Sequence, residues 1–71
     1  MKERYFENVK AMIEYAKKDI EFWGVFEFQY GTLDNEIYVT IEDITSIKMV
    51  DGNTFEFENV VFDLDLLIPC C

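Results

Sequence analysis

The change of secondary structure falls within residues 20–30, which read IEFWGVFEFQY. Before Gly24 the apolar residues recur at steps of three and four, and after it they alternate with polar residues. The first spacing is typical of an amphipathic helix and the second of a half-buried strand. Glycine often ends a helix because it adopts the left-handed conformation without strain. The sequence therefore predicts a helix that ends at Gly24 and a strand that begins at Val25.

One apolar stripe with helical spacing precedes Gly24. Charged residues fill the opposite face. This arrangement predicts a single helix over residues 3–23 that packs its stripe on a sheet. The stripe consists of Phe6, Val9, Ile13, Ala16, Ile20 and Trp23, with Tyr5 and Met12 broadening it.

Alternating residues after Gly24 predict strands separated by turns. In the first strand the aromatic residues at 26, 28 and 30 are expected to point into the core, and further inward positions include Ile37, Ile47 and Met49. The final segment has Val61 and Leu67 on its outward face. The five expected strands cover residues 25–30, 36–42, 44–50, 54–59 and 60–68.

The turn at residues 51–53, Asp-Gly-Asn, allows the register of one hairpin to be predicted. A three-residue loop places Met49 opposite Phe55. It also places Lys48 opposite Glu56, so that apolar and polar residues stay on separate faces. A two-residue loop would mix the faces, because a slip of one residue turns every side chain over.

The expected architecture is α+β, with the helix lying across an antiparallel meander of four to five strands, open or partly closed into a barrel. A chain of 71 residues is expected to form one domain. The order of one helix followed by five strands resembles that of Sm-like proteins, in topology alone. A core of this size stabilises the folded state by only ~3–5 kcal/mol net.

Charge is distributed unevenly along the chain, which has a net charge of −9. Residues 1–18 hold five basic and three acidic residues, whereas residues 19–71 hold one basic and twelve acidic residues. Nucleic acids and anionic membranes bind proteins through Lys and Arg, so neither is expected to bind directly.

Six acidic residues fall at the outward positions of the predicted strands, opposed only by Lys48. Carboxylates at i and i+2 on a strand lie ~6.7 Å apart, so two neighbouring strands would approach the charge density of a single nucleic-acid strand. This pattern predicts docking on a basic partner surface, such as that of a nuclease or another nucleic-acid-binding protein. The predicted binding residues are Glu27, Glu42, Glu56, Glu58, Asp63 and Asp65, with Tyr38 as an aromatic anchor.

Three other interpretations of these residues stay open. The acidic face is also what solubility requires of a sheet exposed to water. Alternatively, the protein is a structural subunit that forms homo-oligomers through its helix or an edge strand, using the exposed residues Tyr5, Tyr15, Val61 and Leu67. Asp63-Leu64-Asp65 weakly resembles the start of a calcium-ligand series.

The residue types do not favour an enzyme. Histidine is absent and Ser46 is the only serine, so acyl transfer would lack its usual base. No cofactor and no metal are expected. Cys70 and Cys71 are adjacent and cannot link distant segments, so we expect two reduced thiols on a frayed end.

Size, acidity and the lack of catalytic residues resemble those of small phage proteins that mimic DNA, among them inhibitors of restriction and CRISPR nucleases. This resemblance of class implies a non-enzymatic inhibitor. The first residues lack the apolar core of a secretory signal, and no apolar run approaches the ~18 residues that span a bilayer. A cytoplasmic location is therefore expected.

Overall fold

The computed structural model describes residues 4–32 and 34–70. A helix and six strands make up the regular structure, with two 3-10 turns at Ile44–Ser46 and Leu64–Leu66. The prediction of an α+β fold with antiparallel strands is confirmed. The elements are α1 Val9–Trp23, β1 Phe26–Thr32, β2 Asn35–Ile41, β3 Lys48–Met49, β4 Thr54–Phe57, β5 Val60–Asp63 and β6 Leu67–Pro69.

The strands form two three-stranded sheets rather than one meander. Sheet A has the order β2-β1-β6, and sheet B has the order β3-β4-β5. Every pairing is antiparallel. The predicted continuous meander and its closure into a barrel are not supported, because the consecutive strands β2 and β3 lie in different sheets, as do β5 and β6.

Helix α1 begins later than predicted. The side chain of Asn8 accepts a hydrogen bond from the backbone N–H of Ala11 at 2.8 Å, which caps the helix and fixes its start at Val9. The N–H of Val9 donates to the carbonyl of Gly52, so the helix start is tied to the β3–β4 turn. The predicted stop is confirmed, since Gly24 has φ 90° and donates its N–H to the carbonyl of Ile20.

Most of the predicted helical stripe lies in or against the core. Val9, Met12 and Ala16 are fully buried, and Phe6, Ile13 and Ile20 pack against them as partly buried residues. Trp23 was predicted to belong to this stripe, and that prediction is wrong, because its side chain is 71% exposed. Helical spacing identifies the inner face of α1 but not the point at which the sheet beneath it ends.

Carboxylate-capped turns interrupt two of the predicted strands. Asp43 accepts hydrogen bonds from the N–H and hydroxyl of Thr45, and the 3-10 turn that follows replaces the first part of the strand predicted over 44–50. Asp63 accepts from the N–H of Asp65 in the same way and divides the segment predicted over 60–68. Aspartate favours such turns because its short side chain reaches the backbone two residues on.

The second turn changes which residues face the core. Leu67 was predicted to be outward, but the intervening 3-10 turn leaves it 1% exposed. Val61 lies before the turn and is exposed as predicted, whereas Val60, on the predicted inner face, is also exposed. Pro69 follows the last predicted strand, over residues 60–68, and in the structure it belongs to β6 and pairs with Phe28.

The β3–β4 hairpin has the predicted register, with Met49 opposite Phe55 and Lys48 opposite Glu56. In the turn, Asp51 accepts hydrogen bonds from the following backbone and from a threonine hydroxyl. The inward placement of Met49 is wrong, since it is 51% exposed. Strand β3 has only two residues and lies at the edge of sheet B, where side chains gain little cover.

Aromatic side chains from both sheets meet in one core. Phe28 of sheet A is fully buried, and its ring centroid lies 6.0 Å from Phe55 and 5.5 Å from Phe62 of sheet B. The inner faces of the two sheets therefore face each other. The hydroxyl of Tyr30 adds a polar link, because it accepts a hydrogen bond from the N–H of Asp63 at 2.7 Å.

Candidate functional site

Three of the predicted binding residues lie on or beside the outer face of sheet A. Glu27 of β1 is exposed and pairs with Thr40 of β2, whose hydroxyl donates to the Glu27 carboxylate at 3.4 Å. Tyr38 is two residues along β2 on the same face and is 73% exposed. Glu42 directly follows β2 and is also exposed.

The other four predicted residues belong to sheet B or to the turns that adjoin it, and three of them have charged or polar neighbours within the chain. Glu56 is directly opposite Lys48 in the ladder. Asp63 caps the second 3-10 turn, and Asp65 lies 3.4 Å from the Nε of Arg4. Glu58 occupies the β4–β5 turn with φ 52°, outside both strands.

The predicted continuous acidic face is therefore divided between two sheets whose inner faces meet. The expected charge density depended on carboxylates alternating along adjacent strands. Only Glu56 and Asp63 of the sheet B group lie within strands, because β4 ends at Phe57 and β5 ends at Asp63. The structure brings Glu27, Tyr38 and Glu42 together on sheet A, and Glu58 of the β4–β5 turn shares a groove with Tyr38. Asp65 borders a depression beside Glu36 of sheet A, whereas Glu56 and Asp63 lie in the strands of sheet B.

The longest stretch of the chain without a lysine or arginine runs from the end of α1 to just beyond β2. Residues 19–47 contain seven acidic residues and neither lysine nor arginine. The last turn of α1 has no basic residue and contains Glu21, although the C-terminal end of a helix carries a partial negative charge of about −0.5. Asp43 contributes a carboxylate whose pKa is held below its usual value, chiefly by the hydrogen bond from the Thr45 hydroxyl.

Two aromatic residues at the end of α1 extend this surface and were missed from the sequence. Phe22 and Trp23 are 77% and 71% exposed, and their rings meet edge to face with centroids 4.7 Å apart. Consecutive helical residues point about 100° apart, so two neighbouring aromatics cannot both lie on a narrow buried stripe. The adjacent Phe22 and Trp23 therefore indicated that at least one aromatic side chain is exposed at this end of the helix.

A groove connects the end of α1 with the beginning of β1. It has a volume of about 400 Å³. A shallower depression on the other side of Trp23 is bordered by Lys18, Glu21 and Phe22. The groove is lined by Tyr15, Asp19, Trp23, Val25, Glu27 and Cys70.

We name the region formed by the end of α1 and the outer face of sheet A the acidic aromatic surface. The groove joins the helix end to Glu27, and the Thr40 contact joins Glu27 to β2. The surface comprises Asp19, Glu21, Phe22, Trp23, Glu27, Tyr38 and Glu42.

Cys70 is held in place by a backbone hydrogen bond to β1. Its backbone N–H donates to the carbonyl of Glu27 at 3.0 Å, so the prediction of a frayed end is wrong at this position. Its thiol is free and partly buried. The prediction for Cys71 falls outside the described residues.

Within residues 4–32 and 34–70, no group of three or more Cys, Asp and Glu side chains is arranged to hold a metal ion. The Asp63-Leu64-Asp65 series is used locally, because Asp63 accepts the N–H of Asp65. No helix in the described residues, α1 included, is long and apolar enough to cross a bilayer.

Comparison with known proteins identifies no relative, so the function is inferred from the fold and from the acidic aromatic surface. A scan against protein-family models finds no match, and searches among curated proteins and solved structures find none either.

Proposed function

We propose that this chain is a small acidic binding protein, without catalytic activity, that docks on the basic, nucleic-acid-binding surface of a partner protein. The observation that carries the proposal is the run of seven acidic residues without a lysine or arginine over residues 19–47. A surface of one sign attracts an oppositely charged partner and accelerates encounter. Blocking a site that otherwise binds nucleic acid would make the protein an inhibitor of the DNA-mimic type.

The acidic aromatic surface is the docking region that we propose, in preference to the sheet B side. Asp65 is paired with Arg4 at 3.4 Å, and Glu56 lies directly opposite Lys48 in the ladder. A basic residue therefore lies beside each of these two carboxylates. Among the described contacts, the Glu27 carboxylate meets only the neutral hydroxyl of Thr40.

Exposed aromatic residues support an interface with a protein at this surface. Trp23 and Tyr38 are the residue types that most often contribute binding energy at interfaces, because a large rigid ring is buried at a low cost in conformational entropy. Both are more than two-thirds exposed. Carboxylates around such rings would orient a basic partner while the rings provide apolar contact.

Competition with DNA tests this function. The protein is immobilised, and proteins captured from a lysate at ~50 mM and ~500 mM salt are compared, since surface electrostatics are screened over this range. We expect capture of a nucleic-acid-binding protein at low salt, its release at high salt, and its release by duplex DNA at constant salt. Capture that duplex DNA does not reverse would contradict the proposal.

Two double variants with the same change in net charge identify the docking face. We expect Glu27→Lys with Glu42→Lys to weaken capture by at least about tenfold, because two attractive contacts become repulsive. Glu7→Lys with Glu56→Lys alters carboxylates before the start of α1 and on sheet B, and is expected to change capture by less than about threefold, through net charge alone. Circular dichroism and thermal melting confirm that both variants are folded.

A second candidate function is that of a structural subunit that assembles with copies of itself. The free edges of β2 and β5 border a groove of about 320 Å³. Ile37 and Val60, each about half exposed, lie along it. This candidate predicts a mass above the monomer in light scattering, unchanged by high salt, because apolar contacts are not screened.

A further inference from the structure

We propose that the groove between α1 and β1 receives an arginine side chain of the basic partner. This inference rests on the proposed function and specifies how the acidic aromatic surface recognises its partner. It draws on the composition of the groove, on the electrostatics of the helix end and on the exposure of Trp23.

The groove combines the two kinds of group that a guanidinium contacts. Its carboxylates come from Asp19 on α1 and Glu27 on β1, and its rings come from Tyr15 and Trp23. A guanidinium is planar and stacks on aromatic rings, and its N–H groups pair with carboxylates two at a time. The volume of about 400 Å³ lies within the range of sites that bind small organic groups.

The charge around the groove favours a cation. Trp23, the last residue of α1, places the groove at the C-terminal end of the helix, where the helix dipole adds to the negative potential of the carboxylates. Among the described contacts, the Glu27 carboxylate accepts a hydrogen bond only from the neutral hydroxyl of Thr40. Lys18 is the nearest basic residue along the chain, and it borders, together with Asp19, the neighbouring depression rather than the groove.

Trp23 provides the ring on which the guanidinium would stack. Edge-to-face contact with Phe22 holds the indole, while 71% of the side chain stays exposed. Cations bind over the face of an indole more strongly than over other aromatic rings. An exposed tryptophan between carboxylates is therefore suited to arginine, which gains both stacking and paired hydrogen bonds.

Tryptophan fluorescence tests the inference directly, because Trp23 is the only tryptophan in the chain. The full chain is titrated with hexa-arginine and with hexa-lysine, which carry the same charge. We expect both to bind, with a dissociation constant at least about threefold lower for hexa-arginine, since stacking adds to charge attraction. Equal dissociation constants for the two peptides would overturn the inference.

Matched variants separate the groove from the general charge of the protein. We expect Asp19→Asn with Glu27→Gln to weaken hexa-arginine binding by about tenfold, because both carboxylate partners are lost. Glu7→Gln with Glu56→Gln removes the same charge away from the groove and is expected to change binding by less than about twofold. Trp23 is kept in every variant, so the same signal reports on each, and thermal melting checks that each is folded.

The possible failures are distinguishable. If both peptides bind equally and both double variants lose affinity equally, the groove inference is overturned while docking through overall charge still stands. If neither peptide binds and no partner is released by DNA, both proposals are overturned. A change in Trp23 emission with protein concentration alone would identify a second copy as the occupant and would overturn the arginine assignment.

Discussion

Removing one oxygen atom from Tyr30 tests how the two sheets are joined. The Tyr30 hydroxyl accepts the N–H of Asp63 at 2.7 Å, across 33 residues of sequence, and links β1 to the end of β5. The Tyr30 ring also contacts Phe62 with centroids 4.8 Å apart. Tyr30→Phe keeps this ring contact and removes only the hydrogen-bond acceptor, so the effect isolates a single polar link.

The expected loss in the free energy of unfolding is about 1 kcal/mol, the usual net value of one intramolecular hydrogen bond. Tyr30 and Asp63 are both partly exposed, so water can reach the freed N–H and the loss stays below the ~3 kcal/mol of a fully buried unpaired group. A domain of 60–100 residues loses about 4–8 °C in melting temperature per kcal/mol. The variant should melt lower by that amount.

Tyr38→Phe is the matched control, because it makes the same chemical change on a side chain that is 73% exposed. Its melting temperature should stay within about 1 °C of the original, as is usual for surface substitutions. Amide hydrogen exchange at Asp63 provides a local measurement, and it should accelerate in Tyr30→Phe alone. Equal melting temperatures for Tyr30→Phe and the original protein would refute the role of this hydrogen bond.

Three further predictions concern turns and caps. Asn8→Ala should lower the free energy of unfolding by about 1 kcal/mol in urea titrations, because the first turn of α1 loses its cap; no change would contradict the observed helix start. Gly31→Ala should lower the free energy of unfolding by at least about 2 kcal/mol, since Gly31 has φ 116° and an added Cβ would clash with the backbone carbonyl of Asn35 in β2. Gly52→Ala, where an added Cβ meets open space, is the control expected to melt almost unchanged. Hydrogen bonds to Asp43 and Asp51 lower the pKa of each carboxyl from 3.8, so the stabilisation by these two carboxylates is present above that pH and is lost as the pH falls through the lower folded pKa. Replacing both residues with Asn should therefore reduce the drop in melting temperature on acidification. An unchanged drop would exclude Asp43 and Asp51 as its source.

Local patterns in the sequence predicted the elements better than their arrangement. The sequence was sufficient to predict the helix stop at Gly24, the change to alternating residues and the β3–β4 register, because each depends on residues close together in the chain. The two 3-10 turns were missed, since a capping aspartate such as Asp43 or Asp63 also fits a strand with outward polar residues. Both turns lie where the chain passes from one sheet to the other, between β2 and β3 and between β5 and β6.

The candidate surface was predicted only in part for the same reason. Glu27, Tyr38 and Glu42 come together because they follow one hairpin, and their alternation showed the outward face. The remaining four predicted residues were assigned to the same face on the assumption of one continuous sheet. Trp23 was missed because its spacing fits the buried stripe, and spacing carries no information about where the covering sheet ends.

The fold cannot be completed until β6 has been synthesised, because β6 pairs with β1. The β1–β2 hairpin and sheet B join neighbouring segments, so each can form soon after it is synthesised. Phe28 of β1 must wait for Pro69, which follows after more than half of the chain has been added. At ~5–20 residues per second, the second edge of β1 stays open for a few seconds on the ribosome. During that time it can pair with another nascent chain, and only the arrival of Leu67–Pro69 covers it.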